Sequence, residues 1–266
     1  MANYVQLTSS AHKGAGFRRA QNVQHARNDR HAPVLIDELA QVLPYMPLCF
    51  IKQSADRFQL VALQGLDEQK NLFLKPGTHK WVSGYTPACY RGYPFALGRD
   101  AATDQSVLCF DLDSGLLREN PSDDDVPFFD AAGEPSQAVK DTLEFLQATE
   151  ISRQRTQAAV DQLSAAGLIK EWRVELKTQD KQIVIDCLFM IDEAALQALQ
   201  SDSLQTLHKA NALPVAYAQL FSLPQVKHLA KLKRFHDHYD ESMDQKVDFE
   251  KLFDGKDDMF KFDLDS

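Results

Sequence analysis

The sequence predicts an α+β fold: an antiparallel sheet, made of a meander and a later hairpin, with helices packed on it and an acidic tail that is disordered or docked. Three observations predict it. Between Leu48 and Leu112, short apolar runs alternate with brief connections rich in Gly, Asp and Pro, the pattern of antiparallel strands. From Gln137 to about Ala166 the apolar spacing lengthens to that of a helix. Trp172–Lys177 and Gln182–Met190 then flank Gln179–Asp180 as a hairpin. A helical stretch separates the two strand sets, so two sheets or lobes are the alternative to one.

In chain order, residues 1–32 read as a basic, flexible arm: Lys13, Arg18, Arg19, Arg27 and Arg30 stand against the single acid Asp29. Residues 33–236 form the α+β domain, and residues 237–266 the tail. Val34–Leu43 reads as a short helix stopped by Pro44. The expected strands are Leu48–Lys52, Phe58–Leu63, Asn71–Leu74, Tyr93–Leu97 and Val107–Leu112. Residues 120–135 form a loop holding Asp123–Asp125. The long helix presents Leu143, Leu146, Val160 and Leu163 to a core, with a break near Thr149, and Gly167 caps it. Asp192–Glu193 opens short helices that reach Phe235, and Pro214 and Pro224 stand where helices begin. Trp81, Tyr93, Phe95, Trp172 and Phe189 are expected in the interior.

Composition narrows the function classes. Of 266 residues, 44% are hydrophobic and 25% charged, ordinary values for a globular chain with ample core. The strongest apolar run, IVIDCLFMI, is interrupted by Asp186 and falls short of a membrane helix of roughly 18 residues. No secretory leader is evident. Cys49, Cys89, Cys109 and Cys187 form no CxxC pair, which argues against zinc and for reduced core thiols in the cytoplasm. Residues 150–181 have the order of a winged helix, but six basic residues against five acidic ones give too little positive charge for nucleic acid.

Catalytic signatures are sparse. Gly-x-Ser-x-Gly, Walker and dinucleotide motifs are absent, and no cofactor or metal is expected. His236 and His238 read as a solvated helix end rather than a chelate, because helical residues two apart diverge. Asp111 and Asp113 have the spacing of a carboxylate pair but read as the solvent face of a strand. An enzyme, the alternative function, would draw on His79, Tyr85, Tyr90 and Arg91 within the aromatic segment His79–Leu97. There Arg91 would clamp a carboxylate and a tyrosine would donate a proton. The competing reading is that these side chains brace the fold.

The tail carries eleven acids and four lysines over residues 237–266, most of the net charge of −9. Phe249, Phe253 and Phe260 are its expected anchors for a protein partner or for self-association. A segment that folds on a partner and a tail packed on its own domain both fit this composition.

The segments DELAQVLPYMPLCF, GLDEQKNLFL, YTPACYRGYPFAL, VPFFDAAGEPS, LSAAGLI, MIDEAALQAL and AYAQLFSL follow one another in the order and spacing of a known family. On them the chain resembles the SapC family of bacterial proteins over roughly Pro33–Leu232, with the arm and tail outside. The resemblance implies an accessory role, since members look to be linked with surface-layer, outer-membrane receptor, cupin-like and flavin-halogenase genes. It supplies no catalytic residues. It does not make the chain a surface-layer subunit, a class rich in Thr, Asn and Gly and poor in charge. The function expected is that of a cytoplasmic binding or accessory protein.

Overall fold

RFQLVAL ends in four apolar residues without alternation, and a strand of that kind needs cover on both faces. The computed structural model, which describes residues 3–54, 57–66, 70–100, 104–177 and 182–241, provides it: Leu60, Val61, Ala62 and Leu63 are all buried. In chain order the elements are β1 (Tyr4–Gln6), α1 (Ser9–His12), β2 (Gly16–Phe17), β3 (His31–Pro33), α2 (Leu39–Val42), β4 (Leu48–Ser54), β5 (Arg57–Leu63), α3 (Ala88–Arg91), β6 (Phe95–Arg99) and β7 (Ser106–Asp111). There follow β8 (Leu117–Arg118), β9 (Val126–Pro127), α4 (Gln137–Ala165), β10 (Ile169–Lys177), β11 (Gln182–Ile191), α5 (Glu193–Gln197), α6 (Ser201–Lys209), α7 (Ala212–Ser222) and α8 (Val226–Glu241). The fold is α+β with antiparallel sheets. The chain divides into two compact units, Met1–Asn22 with Ala88–Ser152, and Val23–Pro87 with Arg153–Ser266.

In the first unit, β7 lies between β1 and β6, and β2 between β8 and β9. Alternation along β7 turns Leu108 and Phe110 to one side. There they join Phe17, Phe95, Phe128 and Val139 in a small core. Its rings meet mostly edge to face, Phe17 on Phe95 at 4.9 Å and Phe110 on Phe128 at 5.1 Å, the arrangement favoured by their quadrupoles. Asp111, expected on the solvent face, is buried: its Oδ1 accepts from the backbone N–H of Asn3 (2.8 Å) and of Asp113 (3.1 Å). The carboxylate closes the start of the chain onto β7.

The second unit holds a five-stranded sheet in the order β10-β11-β4-β5-β3. β10 and β11 form the expected hairpin, and its turn at Gln179–Asp180 lies outside the described residues. The Asp186 that interrupts the apolar run sits in a bulge: the register shifts between Trp172 and Val174, and Cys187 adopts φ +64°. Among the described residues, β11 and β4 pair directly at Leu188↔Ile51 and Phe189↔Phe50. Two positions further on, the strands are joined through α7. The carboxamide of buried Gln219 accepts from Ile191 N–H (2.9 Å) and donates to Leu48 C=O (3.2 Å), while Ser222 Oγ accepts from Leu48 N–H (2.8 Å).

α4 runs unbroken through Thr149, so the turn expected there is part of the helix. Leu143 and Leu146 of its first half pack on the core of the first unit, and Ala159, Val160 and Leu163 of its second half belong to the core of the second. Gly167, at φ +69°, ends it, with Leu168 N–H donating to Leu163 C=O, a Schellman closure that needs a residue tolerant of the left-handed region.

Other expectations are revised. Residues 1–32, read as an arm, contribute β1, β2 and most of β3 to the sheets. Strands of two or three residues bury too few side chains to leave a period. The strands of residues 48–112 and 171–190 are divided between sheets, the alternative to a single one: β4 and β5 join β10 and β11, whereas β6 pairs with β7 and β7 with β1. Val34–Leu43 is a 3₁₀ turn, Ile36–Glu38, followed by α2. Asn71–Leu74 supplies only an isolated bridge from Leu74 to Trp81. Phe95 is buried, while Trp81, Tyr93, Trp172 and Phe189 are half-buried. Of the four thiols only Cys49 is a core residue; Cys109 is half-buried and Cys89 and Cys187 are exposed.

Two substitutions test these cores. Phe128→Ala removes the ring at the centre of the first core and should cost about 3–5 kcal/mol, read by denaturant unfolding followed by circular dichroism. Gln219→Leu preserves the packing but strands Ile191 N–H and Leu48 C=O, each costing roughly 1–3 kcal/mol. The fluorescence of Trp81 and Trp172, both in the second unit, should report the loss as a lower unfolding midpoint. An unchanged midpoint would mean that Gln219 does not hold β4 to β11.

Candidate functional site

The aromatic segment that the sequence singles out meets the 3₁₀ turn Ile36–Glu38 in the second unit. Glu38 is buried, and its two oxygens take different donors: Leu35 N–H gives to Oε1 (2.9 Å) and the Tyr85 hydroxyl to Oε2 (2.8 Å). Ile36 N–H gives to Thr156 Oγ1 (2.8 Å) on α4, and Arg155 pairs with Asp37 at 3.0 Å. The backbone carbonyl of Tyr85 accepts from the indole N–H of Trp81 (2.7 Å), and that indole stacks on Phe73 at 5.5 Å. Gly84 packs so closely on Tyr45 that a Cβ there would collide with the phenol. The result is a half-buried aromatic corner around one buried carboxylate.

The four sequence candidates are shared between the two units. His79 and Tyr85 lie in the second unit, Tyr90 and Arg91 in the first. His79 stands at φ +53° in a turn, its N–H bonded to Lys75 C=O and its C=O to Val23 N–H. Tyr85 is engaged by Glu38. Tyr90 is buried in α3, and the Arg91 guanidinium lies 5.0 Å from the ring centre of Phe145, a cation–π contact. Phe249, Phe253 and Phe260 lie outside the described residues.

Two further readings change. His236, expected at a solvated helix end, is buried, with Nε2 3.1 Å from Leu72 C=O; α8 turns that face inward. Asp125, expected in a solvated loop, has a side chain only 2% exposed and bonds to Arg18 Nε at 2.9 Å. The backbone N–H and hydroxyl of Ser122 and the Arg18 cation hold its carboxyl down to about 2. Among the described residues no group of three or more His, Cys, Asp or Glu is placed to hold a metal ion. No helix among them is long and apolar enough to cross a membrane.

Beside the same turn, a cleft of about 120 Å³ is floored by Val34, Leu60 and Val160 and rimmed by Gln53, Arg57, Gln59 and Arg153. Its volume is below the roughly 300 Å³ of small-molecule pockets, and Gln53 and Gln59 already bond to each other at 2.6 Å.

Sequence reasoning missed the outer face of α7. ALPVAYAQLFS contains no charged residue. Its inner positions Val215, Ala216, Ala218 and Gln219 are buried, while Pro214, Tyr217 and Phe221 face solvent. Tyr217 is 45% and Phe221 70% exposed, and their rings stack at 6.0 Å. The signal was present in the lack of charge at Pro214, Tyr217 and Phe221, spaced three and four apart, where a one-sided helix places polar residues.

Two outcomes are expected. Tyr85→Phe deprives the buried Glu38 carboxylate of its hydroxyl donor and should lower stability by about 1–3 kcal/mol, with Trp81 emission unchanged because the indole bonds to backbone. His31, on β3, has its Nε2 buried without a hydrogen-bond partner. Burial, and secondarily the Arg30 cation, lower its pKa from 6.5 to about 4. The unfolded chain therefore takes up the proton first. The stability contributed by the neutral ring is complete above pH 6.5 and lost as pH falls toward 4. His31→Gln should flatten that part of the stability profile measured by denaturant titration; an unaltered slope would assign it to other groups.

No curated protein and no solved structure matches this chain. The SapC family model matches residues 7–229, and so takes in β2 and β3 as well as the segments that carry the resemblance. With most of its length matched in this way, the chain belongs to the SapC family.

Proposed function

We propose that the chain is a cytoplasmic binding or accessory protein that receives a protein segment on the outer face of α7 and carries out no chemistry of its own. The observation that carries this reading is the pair Tyr217 and Phe221, stacked and exposed on a helix without charge. Exposed aromatic residues on a rigid helix are the usual anchors of protein recognition. The engagement of Tyr85 by Glu38 and of Arg91 by Phe145 supports it from the other side: these side chains serve the fold. Four cysteines outside any disulfide suit a reducing compartment. The enzyme reading keeps one supporting feature, the buried Glu38–Tyr85 contact, a carboxylate and a phenol within proton-transfer distance.

The test places the photoreactive residue benzoylphenylalanine at position 221, and in a control chain at exposed position 197, and irradiates cells producing each. Protein adducts are expected from position 221 and not from 197. The opposite result is no adduct at 221 together with a stoichiometric small molecule that co-purifies with the chain and is lost in Tyr85→Phe. That outcome would replace the binding reading with the enzyme.

A further inference from the structure

We infer that two copies of the chain join through β10, edge to edge and antiparallel about a two-fold axis at Val174, so that two five-stranded sheets become one of ten strands. This surface is distinct from the outer face of α7, and its role does not depend on the reading of that face.

The two ends of the sheet differ. β3, at one end, has three residues and finishes in Pro33. A short strand closed by a proline is a blunted edge. β10, at the other end, runs for nine residues without proline or glycine. Among the described residues it pairs with β11 alone. Alternate backbone N–H and C=O groups of such a strand point away from its one neighbour and can receive a further strand. The bulge leaves this edge intact. Asp186 and Cys187 of β11 stand against Arg173 alone, so the extra residue belongs to the inner strand and β10 keeps its alternation.

Charge decides the occupant. A row of lysines on an edge strand repels a second copy and keeps it away. The exposed face of β10 alternates in sign instead: Glu171, Arg173 and Glu175 point outward, while Val174 is buried and Trp172 half-buried on the other face. Such a row is complementary to itself when reversed. Within one chain Arg173 Nε already lies 3.2 Å from Glu175 Oε1 and 3.6 Å from Asp186 Oδ1. Both contacts are made through Nε, and a guanidinium has four more N–H donors on its Nη atoms, just as a carboxylate accepts several bonds. The pairs within one chain and between two chains therefore coexist.

Charge also decides the register. Residues directly opposite in a sheet share a face, so the two-fold axis passes through a residue. An axis through Glu171, Arg173 or Glu175 sets that charge against its own copy, which is destabilising. One through Trp172 pairs Glu171 with Arg173 but sets Lys170 against Val174, a cation against a core position. One through Val174 sets Arg173 of each copy opposite Glu175 of the other, twice by symmetry, with Val174 on Val174 on the opposite face. This register suits both faces. The contact is isologous and closes at two copies.

The test uses the full chain. Sedimentation equilibrium of the wild type should show a monomer–dimer equilibrium. Arg173→Glu and Glu175→Arg should each weaken the dimer at least tenfold, because each turns two cross-strand attractions into repulsions. Mixed together, the two variants should dimerise again, and R173E/E175R, in which the charges are exchanged, should dimerise as the wild type does. Thermal melting followed by circular dichroism certifies that each variant folds. Should R173E fail to fold, since it sets three acids together, E175R and the exchanged double variant carry the comparison. Amide hydrogen exchange of the wild type gives a reading without substitution: dilution to the monomer should speed exchange in residues 169–177 and leave residues 212–222 unchanged. A wild-type chain that stays monomeric up to its solubility limit would overturn the inference. So would a dimer indifferent to E175R, or one that R173E/E175R does not restore. A dimer whose dilution alters exchange in α7 and not in β10 would assign association to the α7 face and overturn it as well.

Discussion

The carboxamide of Gln219 is the interaction on which the second unit depends. Among the described residues β11 and β4 pair directly at two positions, and two positions further on a gap between Ile191 and Leu48 is bridged by a side chain. Into it α7 sends one side chain that both accepts and donates, and Ser222, one turn further on, satisfies Leu48 N–H. A carboxamide can do this because its oxygen and its NH₂ serve the two strands at once. The contact also fixes which way α7 is turned. With Gln219, Ala216 and Ala218 facing the sheet, Pro214, Tyr217 and Phe221 are left outside. The exposed aromatic pair is thereby a consequence of how the sheet is closed.

Carboxylates play a comparable part elsewhere. Asp111 ties the start of the chain to β7, Asp125 binds Ser122 and Arg18, and Glu38 holds Leu35 N–H and the Tyr85 hydroxyl. Read along the chain, Asp111 suggests a carboxylate pair on a strand's solvent face, Asp125 a loop, and Glu38 no more than part of a short helix. Each is instead enclosed with donors that pair it, which buried charge requires. All three take donors more than forty residues away, so their role is invisible to any local pattern.

The chain belongs to the SapC family, and the proposed role by contact rests on the geometry of α7 alone. The residues with chemical capacity around the aromatic corner are bonded into the fold. Among the described residues, the outer face of α7 leaves Tyr217 and Phe221 exposed, and the Gln219 contact holds that helix to the sheet.

What the sequence alone determined was everything carried by local periodicity and turn chemistry. The α+β class, β4 and β5, the β10–β11 hairpin, the helix of residues 137–165 and its end at Gly167 all follow from spacing, strand propensity and a glycine suited to φ > 0. Tertiary structure decided the rest. β1 and β2 are too short to leave a period, and the division of the strands among separate sheets depends on backbone pairing between distant segments. Leu143 and Val160 read as one helical face, yet they serve different cores, because a helix records only that a side is apolar and not what covers it. His79, Tyr85, Tyr90 and Arg91 are close in sequence but fall in different units. The sequence could list those residues as capable of chemistry, but only the folded chain determined that Tyr85 and Arg91 are engaged by Glu38 and Phe145 while Tyr217 and Phe221 are left exposed.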